Sequence, residues 1–332
     1  MSKHHWKRRP EGGGPFALWL IRTIARRGGR FVARLCLYPI TLYFLVMRGP
    51  ERRASRAYLD RVLPAPPHLF HVARHIHTFA STILDRVFLL SGQLHRFAFD
   101  VQGLDALQAQ LDRGQGTLLF GSHLGSFDAL RVLATRRPDL KVCVLLDKAH
   151  NAAMQQLLDA LNPQLARNII DAGQDGPSIV LAIKQAVDEG ALVALLVDRV
   201  LPGEAAVTAP LLGDDVRFPA APWLIAAALQ VPVTLAFGLY RGGNRYELVF
   251  EAFSDRIEAP RHNRGEALSG YAQTYAQRLQ HHALRAPYNW FNFYDFWHSD
   301  NDATAASDAH VPGERGHTRD PAGRRFIARR AT

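Results

Sequence analysis

The sequence feature that most constrains the fold is an alternation of short apolar runs with longer amphipathic stretches, which starts after Gly103. The apolar runs are strand-like and lie at residues 117–121, 141–146, 167–171 and 192–198. Helical candidates lie between them, at residues 126–137, 149–161 and 175–190. Strands that alternate with helices pair in parallel, with helices covering both faces of the sheet. The alternation therefore predicts an α/β domain with a mostly parallel central sheet flanked by helices.

Segments on either side of this alternation extend the predicted domain. Two helices precede it, over about 51–63 and 68–90, because three prolines interrupt the helical pattern between them. A helix near 220–229 follows it, and then two strand-like runs, 232–240 and 246–250, joined by Arg-Gly-Gly-Asn. This short connection predicts a hairpin, which makes the sheet mixed. A last amphipathic helix spans about 264–284.

The residues with most chemical potential follow the run 117–121. His123 comes directly after this strand, and Ser126 is a good N-cap for a helix that begins at Phe127. Asp128 lies five residues after His123, and in one continuous helix the two would be about 140° apart and could not meet. With His123 in a loop and Asp128 in the first helical turn, the carboxylate can reach back to the imidazole. The spacing thus predicts a His–Asp dyad at the carboxyl edge of the sheet, where open α/β sheets bind ligands.

A dyad of this kind suits proton abstraction from a hydroxyl group. His123 would take the proton as general base, and Asp128 would fix its tautomer and stabilise the imidazolium. The chain has no G-x-S-x-G nucleophile elbow, so the hydroxyl is expected to belong to a substrate. The competing interpretation is a buried histidine that is hydrogen bonded to an aspartate at a helix start, with no role in catalysis.

Further candidate substrate-binding residues lie at the ends of predicted strands. Asp198 and Arg199 end the run 192–198 and would bind an acceptor, stabilise an oxyanion or form a structural ion pair. Lys148 follows the run 141–146 and would bind a phosphate group, or belong to a solvated loop. Ser122, next to His123, completes this set of candidate residues.

Charge is distributed very unevenly along the chain. The net charge of +10 comes from 40 Lys and Arg against 30 Asp and Glu. Residues 1–56 hold 13 of the basic residues and two of the acidic ones, so the rest of the chain is close to neutral. A basic arm on a neutral body argues against a nucleic-acid-binding domain, since such a domain would carry its basic residues on the folded surface.

The basic arm has the character of a membrane-interacting segment. Its longest uncharged run, 35–47, has 13 residues, fewer than the ~20 needed to cross a bilayer. Interspersed arginines and aromatic residues favour a helix that lies in the interface of an anionic leaflet. A short span with a snorkelling Arg34, or an ordinary amphipathic helix packed on the body, are the other possibilities. Residues 1–14 are polar and glycine-rich, which is typical of disorder.

The composition predicts no disulfide framework and no metal centre. The chain has two cysteines, Cys36 and Cys143, which fits a reducing compartment. His71 and His75 have the i,i+4 spacing of metal ligands, but no H-E-x-x-H motif and no nearby cysteine accompanies them. A hydrophobic content of 48% over 332 residues also excludes a disordered chain. Three segments are expected: an arm at 1–56, a catalytic domain at 57–298 and a disordered tail at 299–332.

The H-x4-D motif of His123 and Asp128, placed after an apolar strand, resembles that of the lysophospholipid acyltransferase superfamily. Within it the chain is most similar to the bacterial lipid A biosynthesis acyltransferases, over roughly residues 16–297. The similarity includes the basic apolar N-terminus, the segment 53–59, Leu-Val-Asp-Arg at 196–199, Pro-Leu-Leu-Gly at 210–213 followed by Phe-Pro, and the aromatic block 287–297. This block and the Asp198–Arg199 pair look closest to acyltransferase-like proteins of aryl-polyene lipid biosynthesis.

The resemblance implies a glycerol-3-phosphate acyltransferase-like fold and an O-acyl transfer without a cofactor. An acyl carrier protein or acyl-CoA would supply the chain as a thioester, and a hydroxyl of a lipid or glycolipid would accept it. The enzyme would act on the cytoplasmic face of a bacterial inner membrane. Two departures concern the acceptor: Asp128 stands where lipid A enzymes usually have Glu, and Phe218-Pro219 is followed by Ala-Ala instead of Glu-Gly.

Two other functional classes remain compatible with the sequence. A non-catalytic lipid-binding or assembly protein could keep the fold, although it would not need both His123 and Asp128. An esterase or thioesterase would use water in place of the acceptor hydroxyl. Product analysis with and without an acceptor lipid separates these classes.

Overall fold

A seven-stranded sheet forms the centre of the structure, a computed structural model that describes residues 29–131, 137, 140–149, 152–201 and 203–297. The strands of this sheet are β1 (Ala98–Gln102), β2 (Thr117–Gly121), β3 (Val142–Leu146), β4 (Ile169–Asp171), β5 (Leu192–Leu196), β8 (Val233–Tyr240) and β9 (Arg245–Ser254). Their spatial order is β1-β9-β8-β2-β5-β3-β4. The predicted tail and residues 1–28 of the predicted arm lie outside the described residues.

The sheet is mixed, as the sequence predicts. Strands β8, β2, β5, β3 and β4 run parallel to one another. Strand β9 pairs antiparallel with β8 through the Arg-Gly-Gly-Asn connection, and β1 pairs parallel with β9. The carboxyl ends of β2, β5 and β3 therefore meet at one edge of the sheet.

Helices cover both faces of the sheet. The helices are α1 (Leu37–Met47), α2 (Gly49–Val62), α3 (Leu69–Leu90), α4 (Leu104–Leu111), α5 (Ala152–Leu161), α6 (Pro163–Arg167), α7 (Gly176–Asp188), α8 (Ala221–Leu229) and α9 (Arg264–Arg285). On one face, Leu84 and Phe88 of α3 pack in a cluster with Leu119 of β2. On the other face, Trp223 of α8 packs edge-on against Phe120 of β2. The alternating faces of β2 thus enter two separate apolar layers, which explains why every residue of this strand is buried.

Some elements differ from the sequence-based expectation. The helix predicted over 126–137 begins as a 3-10 helix, Phe127–Arg131. Strand β1 was not predicted; it is an edge strand, and its residues are exposed or half-buried, so its sequence lacks a long apolar run. A small two-stranded sheet of β6 (Ala206–Leu211) and β7 (Asp214–Pro219) was also not predicted.

The N-terminal helical segment Gly29–Met47 is long and apolar enough to cross a bilayer, by length and composition alone. One side of it packs on the body through the buried residues Ala33, Leu37 and Thr41. Arg30 donates two hydrogen bonds, of 2.8 and 2.9 Å, to the fully buried carboxylate of Asp85 in α3. The segment is therefore anchored to the folded domain along its length.

One interpretation of the sequence required Arg34 to snorkel away from the body. In the structure Arg34 contacts the body instead. Its guanidinium donates to the hydroxyl of Tyr240 at 2.9 Å and to the carbonyl of Gly243 at 3.0 Å. Both acceptors belong to the β8–β9 hairpin. The charged side chain of this apolar helix is thus hydrogen bonded to protein groups of the hairpin, so it needs no lipid head group as partner.

Candidate active site

The loop between β2 and the 3-10 helix holds His123 against two neighbouring parts of the chain. On one side, the N–H of Ser126 donates to the carbonyl of Gly238 in β8 at 2.7 Å. A Cβ atom on Gly125 or Gly238 would overlap the backbone of the other segment, and Gly125 has φ +77°. Glycine at both positions therefore allows the two backbones to touch, which fixes the turn that carries His123.

On its other side the loop pairs with the chain after α9. The N–H of Gly125 donates to the carbonyl of Asn289 at 2.7 Å, and the N–H of Phe291 donates to the carbonyl of His123 at 2.9 Å. Leu124 and Trp290 form an antiparallel bridge. The segment 289–292 consequently runs alongside the loop like an extra strand, and its side chains reach the histidine's surroundings.

The imidazole of His123 is hydrogen bonded to Asp198, which follows β5. Its Nδ1 lies 2.7 Å from Oδ1 of Asp198, and its backbone N–H donates to Oδ2 at 3.0 Å. The indole N–H of Trp290 also donates to Oδ2, at 2.9 Å. Asp198 is fully buried. Three donors thus surround a carboxylate that has no access to water.

These contacts fix the protonation of both partners. Burial opposes ionisation of Asp198, but His123, Arg199 and the Trp290 indole together hold the pKa of this carboxyl well below its usual range. An ionised carboxylate can only accept, so Nδ1 of His123 carries a hydrogen and Nε2 of the neutral ring carries a lone pair. The imidazole is therefore in the tautomer that a general base needs.

The pKa of His123 is itself lowered. Burial is the largest cause, and the positive charges of Arg199 and Arg86 act in the same direction, whereas Asp198 opposes them. The side chain is still 28% exposed, so the ring is reachable from outside. A reachable histidine with a lowered pKa is neutral at neutral pH and ready to accept a proton.

Asp128 does not form the predicted contact with Nδ1 of His123. It lies in the 3-10 helix Phe127–Arg131, and its Oδ2 accepts a hydrogen bond of 2.6 Å from Nε of Arg86 in α3. The predicted hydrogen bond between Asp128 and Nδ1 of His123 is wrong, because Asp198 occupies Nδ1 and the carboxylate of Asp128 is bonded to Arg86 of α3. A catalytic role for Asp128 stays a prediction. The structure thus replaces a local pair by one whose members are 75 residues apart.

Arg199 supports the segment after α9. Its Nε donates to Oδ1 of Asn292 at 2.7 Å, one Nη donates to the carbonyl of Phe291 at 3.0 Å, and its guanidinium lies 5.6 Å from the ring centre of Tyr294. Burial lowers its pKa. Its nearby positive charge complements Asp198, while its hydrogen bonds hold the segment that pairs with the His123 loop.

Two other predicted site residues lie at the same edge of the sheet. Ser122 is buried, and its hydroxyl accepts a weak hydrogen bond of 3.4 Å from the N–H of Leu124. Lys148 follows β3, on the far side of β5 from His123, and its backbone N–H donates to Asp171 at 3.2 Å. Ser122 therefore stabilises the loop, and Lys148 lies two strands away from it.

Trp290 is the site residue that sequence reasoning missed. In the sequence the aromatic block 287–297 served as a sign of family resemblance. Trp290, a member of this block, is buried, and its indole N–H donates to Asp198. It is 92 residues from Asp198 in the chain. No local spacing could have paired the two. The residue type was the available signal: a tryptophan beside asparagines after a long helix can bring a hydrogen-bond donor into an apolar core.

Comparison with known protein families identifies a match over most of the chain. The family model described as bacterial lipid A biosynthesis acyltransferase matches residues 16–299. None of the curated proteins matches the chain. The matched range includes His123, Asp128, Asp198 and Trp290, and so covers the whole site described above.

Proposed function

This chain belongs to the bacterial lipid A biosynthesis acyltransferase family, and on that premise we propose that it is an O-acyltransferase in which His123 is the general base. The observation that carries the proposal is the pairing of Nδ1 of His123 with the buried, ionised Asp198. It leaves Nε2 as the basic atom, at the carboxyl edge of the sheet. The acyl donor is a thioester of acyl carrier protein or coenzyme A, and the acceptor is a hydroxyl of a lipid or glycolipid.

The reaction follows from this arrangement. Nε2 of His123 takes the hydroxyl proton of the acceptor, and the oxygen attacks the thioester carbonyl carbon. The new C–O bond gives a tetrahedral oxyanion, whose collapse breaks the C–S bond. The departing sulfur takes the proton from Nε2, so the histidine returns to its starting form. Asp198 stabilises the imidazolium in between.

Binding roles are part of the same proposal. Lys148, at the end of β3, contacts a phosphate of the donor's phosphopantetheine arm or of the acceptor head group. Arg199 and Ser122 shape the pocket beside the histidine, through the segment 289–292 and the loop after β2. These assignments rest on position at the sheet edge, where ligands of open α/β sheets bind.

The enzyme acts at the cytoplasmic face of a bacterial inner membrane, with the segment Gly29–Met47 lying in the interface rather than spanning it. A spanning helix would have to leave the domain, whereas this one is fixed by Arg30 to the buried Asp85. Its outer side is a stripe of exposed apolar residues: Phe31, Leu35, Tyr38, Leu42 and Val46. Leu69 and Phe70 at the start of α3 are also exposed and extend this surface.

Acyl transfer by purified protein tests the catalytic assignment. Wild-type protein is incubated with acyl carrier protein thioesters or acyl-CoA and a lipid extract, and the products are identified by mass spectrometry. We expect His123→Ala to lower the rate by at least about 10³-fold, since it removes the base. Arg245→Ala, an exposed residue of β9, is the matched control and keeps wild-type activity.

The same measurement separates the other functions. Full transfer by the His123→Ala variant would contradict the proposal. Release of free fatty acid without any acylated lipid would identify a thioesterase, and no turnover at all a lipid-binding protein. Lipid extracts of cells with and without the gene identify the acceptor, and an aryl-polyene lipid among the products would place the chain in that branch.

A further inference from the structure

A second buried histidine, His75 of α3, lies behind the site and has no part in the chemistry described above. Its Nε2 is 2.9 Å from the carbonyl oxygen of Trp290, and its Nδ1 is 2.8 Å from the hydroxyl of Ser55 in α2. Both His75 and Ser55 are completely buried. The imidazole therefore joins two helices to the segment that lies beside the loop of His123.

The partners of His75 determine its tautomer. A backbone carbonyl can only accept, so Nε2 must carry the hydrogen; Nδ1 then accepts from the hydroxyl of Ser55. Burial lowers the pKa of His75 to about 4, although the Trp290 carbonyl opposes this. The ring is accordingly neutral in the folded protein, with one fixed donor and one fixed acceptor.

Trp290 connects this histidine to the catalytic one. Its carbonyl is held by His75, and its indole N–H donates to Oδ2 of Asp198, whose other oxygen accepts from Nδ1 of His123. Trp290 is buried and lies edge-on to Tyr58 at 5.3 Å. A residue fixed at its backbone, at its ring face and at its indole nitrogen has no freedom to turn away from Asp198.

We propose that His75 is a positioning residue: it holds the carbonyl of Trp290, and thereby keeps the indole on Asp198 and His123 in its Nδ1–H tautomer. The inference rests on the proposed function, since it concerns the orientation of the same base. A merely structural histidine would fill space among Tyr58, Phe291 and Phe293, whose rings lie within 6.0 Å of its own. A positioning histidine must in addition supply the hydrogen bond from Nε2.

Two amide variants separate these roles. In His75→Gln the side-chain NH2 reaches the place of Nε2 and can donate to Trp290, whereas in His75→Asn it reaches only the place of Nδ1. Both variants remove the ring and have similar polarity. We expect His75→Asn to lower kcat by about 10- to 100-fold, because small displacements of a base are costly. His75→Gln should stay within about threefold of wild type at the same KM.

The tautomer of His123 is a readout that would not change if His75 only filled space. Two-bond 1H–15N spectra of full-length protein labelled with 15N-histidine report which ring nitrogen carries the hydrogen. We expect Nδ1–H for His123 in wild type and His75→Gln. In His75→Asn we expect a mixture of tautomers, because an Asp198 carboxylate that the indole no longer holds can turn away from Nδ1. Equal spectra and equal kcat for the two variants would overturn the proposal.

The wild-type spectrum decides the matter even when a variant does not fold or when no acyl transfer is found. His75 is expected as the neutral Nε2–H tautomer. An Nδ1–H tautomer would overturn the proposal, because Nε2 could then not donate to Trp290. Absence of acyl transfer by wild-type protein would instead refute the proposed function, and the tautomer comparison would still test the positioning role.

Discussion

The carboxylate of Asp198 determines which nitrogen of His123 carries the proton. The contacts of its second oxygen, Oδ2, determine what a substitution of Asp198 would do. Oδ2 accepts from two donors, the backbone N–H of His123 and the indole of Trp290. In Asp198→Asn the side-chain oxygen must take this place, so the NH2 group faces Nδ1. The amide then forces Nδ1 to accept, and the hydrogen moves to Nε2.

Asp198→Asn should therefore remove the base without removing a side chain. We expect kcat to fall by about 10² to 10⁴-fold, as wrong-tautomer substitutions do. Asp128→Asn should cost less and leave the Nδ1–H of His123 in place, because Asp128 is bonded to Arg86. Steady-state rates and 15N-histidine spectra of both variants check this. A larger loss for Asp128→Asn would show that Asp128 is the orienting carboxylate.

A second prediction about His123 concerns the acid limb of the pH–rate profile. The deprotonated ring is the active form, so activity rises with pH through the pKa of this residue. Because burial and the charges of Arg199 and Arg86 lower that pKa, we expect the midpoint of kcat/KM below about 6.5, the ordinary value for histidine. In Asp198→Asn the midpoint should move further down, since Asp198 raises the pKa. A midpoint above 6.5 would contradict the assignment.

Individual strands and helices show which parts of the fold can be predicted from the sequence. Several elements were predicted close to their observed bounds: strand β2, strands β8 and β9 with their hairpin, and the long helices α3 and α9. Each has either a continuous apolar run or a sustained helical period. Strand β1 lacks such a signal because it is a short edge strand, and its partner β9 lies far along the chain.

The candidate site was readable only in part, for the same physical reason. His123 was found because a strand, a turn and a helix N-cap follow one another locally. Its true partner Asp198 was noticed as a strand end, but the pairing depends on β2 and β5 being neighbours in the sheet. Trp290 and His75 enter through tertiary packing alone. Local spacing favoured Asp128 as the hydrogen-bond partner of His123, whereas the sheet topology brings Asp198 to Nδ1.

The anchoring of the N-terminal helical segment gives a stability prediction. Arg30→Ala leaves the buried carboxylate of Asp85 without its ion-pair partner. Among the residues that the structure describes, the hydroxyl of Tyr246 then remains as its side-chain donor, at 2.9 Å. Loss of one member of a buried pair costs about 3–5 kcal/mol. The double variant Arg30→Ala/Asp85→Asn should recover part of this loss, because no unpaired charge remains. Urea unfolding of wild type, the two single variants Arg30→Ala and Asp85→Asn, and the double variant measures both effects. Strictly additive losses would contradict the buried-charge explanation.

At the scale of the whole molecule, charge and apolar surface coincide at one end of the chain. The first 56 residues carry the entire excess of positive charge, and the stripe on Gly29–Met47 is exposed although it is apolar. Anionic lipid attracts the former and accommodates the latter. We therefore expect an anionic lipid surface to bind this end of the chain and to hold the neutral body beside it.

Vesicle binding tests this docking surface. We expect the triple variant Phe31→Ser/Leu42→Ser/Val46→Ser to bind anionic vesicles at least about tenfold more weakly, since each lost apolar side chain weakens insertion. Leu181→Ser is the matched control, because Leu181 of α7 is 68% exposed against 60% for Leu42. High salt should weaken wild-type binding as well. Equal binding of the triple variant and wild type in co-sedimentation would exclude this surface.

The anchoring of the N-terminal segment also sets an order of events during synthesis. The partners of Arg34, Tyr240 and Gly243, are made more than 200 residues after it. At about 5–20 residues per second the ribosome needs about 10–40 s to cover that distance. Throughout this interval the arginine-bearing apolar helix exists without its partners in the hairpin, and it has left the ribosome for most of that time. The apolar helix is therefore free to contact a lipid surface before the hairpin that anchors Arg34 has been made.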